Sequence, residues 1–211
     1  MDVRSMRNEV LGARVVKNLE SRNMEAYYVE TKEDAVKKAL ELMPAGCSVS
    51  WGGTQSAEDS GLMAAVRQGD YRLIDRDAVS TAEEKRAKLL EAFDADFYLG
   101  SANAVSEDGV LVNIDGSAGR VAAYSFGPKN VLLIVGMNKV VKTVEDAVSR
   151  ARNEAAPINA QRFGVDTPCV KNGTCFNCKV QDCICCQMLI TRFSKIPKRI
   201  KVILVNENLG F

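Results

Sequence analysis

The stretch NVLLIVG (130–136) is an unbroken run of leucine and β-branched residues, the pattern of a strand buried on both faces. Similar apolar runs recur at MEAYYVE (24–30), CSVSW (47–51), YRLID (71–75), ADFYLGS, GVLVNI and the closing RIKVILV, and each predicts a strand. Between them the apolar spacing lengthens to three and four. The first twenty or so residues predict a helix with Met6, Val10, Ala13 and Val16 on one stripe. Thr31 can cap the next helix, with Asp34 as the reciprocal partner, and Val36, Ala39, Leu40 and Met43 form its buried face before Pro44. A helix near 56–68 follows, and STAEEKRAKLLEAF predicts another with Leu89, Leu90 and Phe93 inward. The segment ANAVSED reads as a loop, GSAGRVAAYS as a helix beginning at Gly116–Ser117, and Thr143 opens a helix that gathers Val144, Ala147, Val148 and Ala151.

Strands alternating with helices predict an α/β fold built on a single open, mostly parallel sheet flanked by helices. No low-complexity linker or internal repeat divides the chain. Residues 1–211 therefore read as one domain, with a cysteine-rich segment (165–190) inserted before the last strand. In such a sheet function is expected in the crevice at the carboxyl ends of the strands.

Composition narrows the chemistry. The chain is 46% hydrophobic and 26% charged with a net charge of +1, so no strong field steers it to nucleic acid or an acidic membrane. The basic stretch RFSKIPKRIKV reads as a solvated strand and its approach. No apolar run reaches the ~20 residues of a membrane span. The start MDVRSMRNEV lacks the apolar centre of a signal peptide, so a cytoplasmic protein is expected, in a compartment where stable disulfides are uncommon. There is no histidine, which excludes Ser–His–Asp and Cys–His machinery and histidine-ligated zinc or haem. Acid–base work falls to Asp, Glu, Lys, Cys or Tyr, and a soft-metal site must be built from thiolates.

Two segments emerge at the expected crevice. In WGGTQSAEDSG, Gly52 and Gly53 allow close backbone approach, and Thr54, Gln55 and Ser56 offer donors before a helix start, the logic of an anion cradle; a tight turn that needs glycine is the structural alternative. In SANAVSEDGVLVNIDGSAG, Asp108–Gly109 signals a hairpin turn, while Asn113, Asp115, Gly116 and Ser117 follow a strand and open a helix. Lys139, at the carboxyl end of NVLLIVG, can neutralise an anion or serve as a solvated surface charge; Lys129 lies at the opposite end. Trp51 can stack on a ligand or pack, and Glu58, Asp59 and Asp108 are the nearby acids.

Six of the seven cysteines fall between Cys169 and Cys186, and Cys175-x-x-Cys178 is a chelating pair. The same stretch holds the turn formers Asn172, Gly173, Asn177 and Asp182 and few apolar residues, which suits wrapping around a small centre. Metal binding, redox-active free thiols and a disulfide all remain open. Cys47 lies in a buried strand and reads as core.

The segment from Gly100 to Ser117 is similar to a pattern shared by sugar-phosphate isomerases and translation initiation factor 2B subunits, of the glucosamine-phosphate isomerase, ribose-phosphate isomerase and CoA-transferase fold. In the isomerases an aspartate ahead of the turn moves the proton. The matching residue is Asn103, whose amide cannot do so, and the resemblance therefore implies a pocket rather than isomerisation.

A closer resemblance covers almost the whole chain. SVSWGGTQSAEDSGL, the stretch from GSANAVSEDG to VGMNKVV, AAPINAQRF, TPCVKNGTCFNCK and ILVNENLGF together look like the LUD domain, the lactate utilisation protein C-like family of the same fold. That resemblance implies redox metabolism of organic acids beside an iron–sulfur partner protein, with a homo-oligomer possible. It implies Cys169, Cys175, Cys178 and Cys185 as ligands of an iron–sulfur cluster or zinc, with Cys183 or Cys186 as substitutes. The expected ligand is a small anionic metabolite held by Gly52, Gly53, Thr54, Asn103, Asn113, Gly116, Ser117 and Lys139. The competing expectation is a non-catalytic scaffold docking on an iron–sulfur partner, with structural zinc or free thiols.

Overall fold

Six strands form one all-parallel sheet in the computed structural model, which describes residues 3–211. Their order is β1 (Glu25–Val29), β10 (Ile200–Val205), β7 (Asn130–Gly136), β4 (Phe97–Gly100), β2 (Ser48–Trp51) and β3 (Arg72–Ile74). Side chains alternate across a strand, so the uninterrupted apolar run of β7 feeds two cores. Val131, Leu133 and Val135 join Ile200, Val202 and Leu204 beneath α1 (Val3–Ser21) and α6 (Gly119–Ser125). Leu132 and Ile134 join Ile203 and Val205 beneath α2 (Lys32–Leu42), α3 (Gln55–Asp59) and α4 (Leu62–Gln68).

Local chemistry sets the helix boundaries. Thr31 caps α2 by accepting from the Asp34 amide, and its hydroxyl donates to the Asp34 carboxylate; the reciprocal bond to the Thr31 backbone is not made. A single helix over 56–68 is not formed, because Gly61 at φ +85° separates α3 from α4. In α1 the buried line is Leu11, Val15 and Leu19, whereas Met6, Val10 and Ala13 are exposed. Gly12 explains the rotation: a Cβ there would sit 2.2 Å from the Tyr28 ring, so glycine lets that ring lie against the helix. The helix α5 (Ala82–Glu91) buries no residue; Leu89 is half-buried, Leu90 is exposed, and Ala92 just beyond carries the burial. Its six charged side chains leave too narrow an apolar edge to cover both leucines.

A second, four-stranded sheet stands beside the first, in the order β8 (Val140–Val141), β5 (Ala104–Ser106), β6 (Leu111–Asp115) and β9 (Gln187–Thr191). The segment read as a loop thus holds β5, paired antiparallel to β6 through a turn at Asp108 and Gly109, where φ is +88°. Ala104, Val112 and Ile114 of this sheet pack on Ala147 and Ala151 from the helix α7 (Val144–Arg150) and beyond. That helix continues through a π-helical turn, Ala151–Ala155, into α8 (Ala156–Phe163). Pro157 has no N–H and its ring would crowd the carbonyl of Asn153. The preceding turn widens instead, and the Ala156 amide reaches back five residues to the carbonyl of Ala151. A last helix, α9 (Pro168–Asn172), opens the cysteine segment, which ends in β9. Among the described residues no helix is long and apolar enough to cross a membrane.

Candidate functional site: a basic cleft at the strand ends

Four neighbouring strands deliver their carboxyl ends to one rim. Arg76 follows β3, Gly52–Thr54 follow β2, Ser101–Asn103 follow β4 and Lys139 follows β7. Opposite them stand the end of β6 with Gly116 and Ser117, and the residues Asn159, Arg162 and Phe163 of α8. The outer cleft between these walls has a volume of about 270 Å³. An inner recess of about 30 Å³, lined by Thr54, Ser101, Asn103 and Lys139 among others, shares Gly53, Arg120, Asn159 and Arg162 with it. The two are parts of one site.

Positive charge dominates this site. Arg76, Arg120 and Arg162 line the outer cleft, against a single acid, Asp115. That carboxylate is already engaged: it accepts from the backbone amides of Arg120 (3.0 Å) and Val121 (3.3 Å) and lies 3.7 Å from the Arg120 side chain. The Arg120 guanidinium also donates to the carbonyl of Ile114. Arg162 has no carboxylate partner among the described residues; it donates to Asn159 at 2.9 Å and lies 4.2 Å from the Phe163 ring centre. Burial, and then the charge of Arg120, lowers its pKa. Two guanidinium groups that disfavour each other in a partly desolvated cleft are stabilised by an incoming anion.

The glycines have a definite role here. A Cβ on Gly52 would come within 3.0 Å of the Tyr98 hydroxyl and 3.2 Å of the Arg120 side chain, so glycine lets Arg120 lie on the strand end. The Tyr98 hydroxyl and the Thr54 hydroxyl are buried without a hydrogen-bond partner.

Lys139 is only 3% exposed, and its ammonium donates to Ser56 (2.8 Å) and Ser101 (3.1 Å). Burial, followed by the charges of Arg150 and Arg120, pushes its pKa down to about 7, with Asp59 opposing. The unfolded chain, with an ordinary lysine near ~10.4, then binds more protons than the folded one between about pH 7 and that value. Stability from this group therefore rises with pH through that window, and its penalty is full below the folded pKa. Urea unfolding is expected to show wild type gaining stability relative to Lys139→Met between about pH 7 and 9.5; parallel pH profiles would contradict the buried neutral amine.

The sequence-predicted residues divide as follows. Gly52, Gly53, Gly116 and Ser117 line the outer cleft, and Thr54, Asn103 and Lys139 line the recess. Asn103 also holds the second sheet, accepting from the Ile114 amide at 2.8 Å. Asn113 does not line the site: Ile114, its neighbour on β6, faces the cleft, and alternation turns Asn113 away, 1% exposed with both amide atoms unpartnered. Trp51 is packed in the core with Arg67 over its ring. Glu58 pairs with Arg67, Asp108 with Arg22 and Lys129 with Asp96, each a surface ion pair. Sequence reasoning missed Arg76, Arg120, Ser101, Asn159 and Arg162; the alanines of AAPINAQRF mark the buried face of α8 but carry no signal for the direction of Arg162.

The cysteine segment folds back on this site. Gly116 lets the backbone of Ile184 approach, since a Cβ there would meet it at 3.3 Å, and Ile184 becomes part of the cleft wall. Its neighbour Cys185 packs against the core of the second sheet. All seven cysteines are free thiols. The sulfurs of Cys183 and Cys185 are 3.4 Å apart, Cys186 donates to the Cys183 carbonyl at 3.2 Å, and Arg152 reaches the Cys175 sulfur at 3.9 Å. Burial pushes the Cys183 thiol up, but bonds from the Cys185 backbone and from the thiols of Cys185, Cys186 and Cys178 outweigh it and hold its pKa below the ordinary value. Burial and the neighbouring Cys183 push Cys185 up to about 12. The donors are of the soft type that suits zinc or an iron–sulfur centre. Among the described residues, however, no three Cys, Asp or Glu side chains are arranged as a metal cage; the segment offers close thiol pairs.

Comparison with known proteins accords with this architecture. The LUD domain family profile matches residues 12–205. The fold is similar to the crystal structure of a DUF162 family protein from Deinococcus radiodurans, with a TM-score of 0.56 at 14% identity, over 94% of this chain and 98% of that one. No curated protein matches the chain.

Proposed function

Because the chain belongs to the LUD domain family, we propose that it binds a small organic-acid anion of the lactate or pyruvate type, or a phosphorylated relative, and serves redox metabolism of such acids. The observation that carries this reading is Arg162, a guanidinium without a carboxylate partner, facing Arg120 across a cleft floored by glycine. Gly52, Gly53, Gly116 and Ser117 bring backbone and small donors to the anion, and Thr54, Asn103 and Lys139 line the recess beneath it. Titration calorimetry with pyruvate, lactate and inorganic phosphate tests it. Binding of at least one, weakening as salt is raised, is expected; no heat from any of them, at low or physiological salt, would remove the reading.

The thiol segment extends the proposal. Cys169, Cys175, Cys178 and Cys185, with Cys183 or Cys186 as substitutes, are the candidate ligands of zinc or an iron–sulfur cluster, and their support is donor chemistry together with the paired sulfurs. An iron–sulfur centre would suit a protein that works in the cytoplasm with an iron–sulfur partner. Anaerobic purification with absorbance and metal analysis separates the cases. Colour with iron favours the redox role, and zinc without any organic-acid binding favours a scaffold that docks on such a partner.

A further inference from the structure

Lys139, which lines the recess beneath the anion, also meets two hydroxyls to which the proposed anion site gives no role, those of Ser101 and Ser56. The Nζ of Lys139 lies 2.8 Å from Ser56 Oγ and 3.1 Å from Ser101 Oγ, and the two hydroxyls are 3.1 Å apart. Ser101 directly follows β4, and Lys139 closes the short turn after the adjacent β7, so the sheet itself holds the amine against the hydroxyl. All three residues are at least nine-tenths buried. Ser101 and Lys139 line the recess, whereas Ser56 stands behind them and donates to the carbonyl of Leu209 at 3.2 Å.

A buried lysine that serves structure is expected to have a carboxylate partner. Lys139 has none among the described residues. The charged groups whose fields reach it are Arg120 from α6, Arg150 from α7 and Asp59 from α3, with Arg162 from α8 lining the same recess. The Asp59 carboxylate is engaged by Gln55 and by the Gly210 amide. Burial, with the charges of Arg150 and Arg120 set against one engaged acid, favours the uncharged amine, which is a base.

We propose that Ser101, Lys139 and Ser56 form a nucleophilic centre that cleaves the acyl bond of a small ester or thioester carrying an anionic group. The proposal goes beyond anion binding and rests on that reading only for the charge on the substrate. Neutral Lys139 Nζ takes the proton of Ser101 as Oγ bonds to the acyl carbon. The bond from that carbon to the leaving oxygen or sulfur then breaks, and the leaving group takes the proton from the Lys139 ammonium. Water repeats the sequence on the acyl-serine, releases the free acid and restores Ser101. The unpartnered Thr54 hydroxyl, which lines the recess, is the donor available to the developing oxyanion. Ser56 is a positioning residue: it keeps the amine beside Ser101 and never meets the substrate.

The test treats the purified protein with p-nitrophenyl acetate and with the p-nitrophenyl monoester of succinic acid, and maps the acyl group by peptide mass spectrometry. Wild type is expected to carry it on Ser101, with a rate that rises with pH as the amine deprotonates. Lys139→Met, shown folded by its urea transition, should label about 100-fold more slowly. Ser56→Ala should keep Ser101 labelling but shift its pH profile, which a purely structural serine would not do. Acyl groups on lysines with Ser101 unmodified, or equal labelling of Ser101 in Lys139→Met, would overturn the centre. If neither ester acylates Ser101 while pyruvate or phosphate still binds, the centre falls and the cleft stands. If the acetate ester acylates Ser101, the succinate ester gains nothing over it and none of the anions gives heat in the calorimeter, the centre stands and the anion reading falls.

Discussion

Arg162→Glu is expected to weaken pyruvate or phosphate binding by about 100-fold or more while leaving the unfolding transition nearly in place. The unusual separation of the two effects follows from the side chain's surroundings. Its contacts are one bond to Asn159 and the face of Phe163, so its loss leaves no carboxylate unpaired. Its charge, however, is part of an excess over Asp115 that only a ligand can offset. Reversal places a second carboxylate in the cleft with Asp115, so the anion loses an attraction and meets a repulsion. Arg162→Ala removes only the attraction and should cost about 10-fold. Calorimetry at low and at physiological salt measures both. Affinity unchanged by the reversal would place the anion elsewhere.

Arg199→Ala is expected to lower the unfolding free energy by about 3–5 kcal/mol, with no direct effect on the cleft. Arg199 is 7% exposed and has no carboxylate; its guanidinium spans three backbone carbonyls, of Pro128 (2.9 Å), Tyr124 (2.7 Å) and Ala123 (2.8 Å). The last carbonyls of a helix have no partner within it, and here one planar fork from the approach to β10 supplies α6 with what its own turn cannot. Alanine would leave these acceptors buried and unpaired, together with a void. Arg199→Lys should recover only part of the loss, because an ammonium on a flexible stem cannot reproduce the fork. Urea unfolding reads this directly. A loss below about 1 kcal/mol for alanine would mean that water replaces the guanidinium without cost.

The main sheet was legible in the sequence for a simple reason: β7 and β10 are buried on both faces, so burial writes near-continuous apolar runs into the chain, broken in β10 only by Lys201, which pairs with Glu25. Of the second sheet only β6 was, as GVLVNI. β9, QMLIT, keeps Met188 and Ile190 exposed, and β5 is three residues of a segment otherwise rich in turn formers, so neither shows the alternation of a half-buried strand. Gly52, Gly53, Thr54, Asn103 and Lys139 could be placed at the rim from sequence because each follows a strand whose end could be located. Asn113 lies inside its strand, where a single step decides the face, and it took the wrong one. The arginines escaped because an arginine on a helix looks the same in sequence whether it faces water or a cleft. Only the second wall of the site, built from α6 and α8, reveals Arg120 and Arg162.

The widened turn at Ala151–Ala155 gives the long helical rod a phase offset between its halves. Upstream of it Arg150 grips the carbonyls of Asn103 and Asn138, fixing the rod to the strand ends. Downstream, the rotation of Asn159 and Arg162 depends on the extra residue in that turn, and losing one residue there would swing both by about 100°. A change of chain length at this point could therefore retune which molecules are admitted while the sheet and its amine stay untouched.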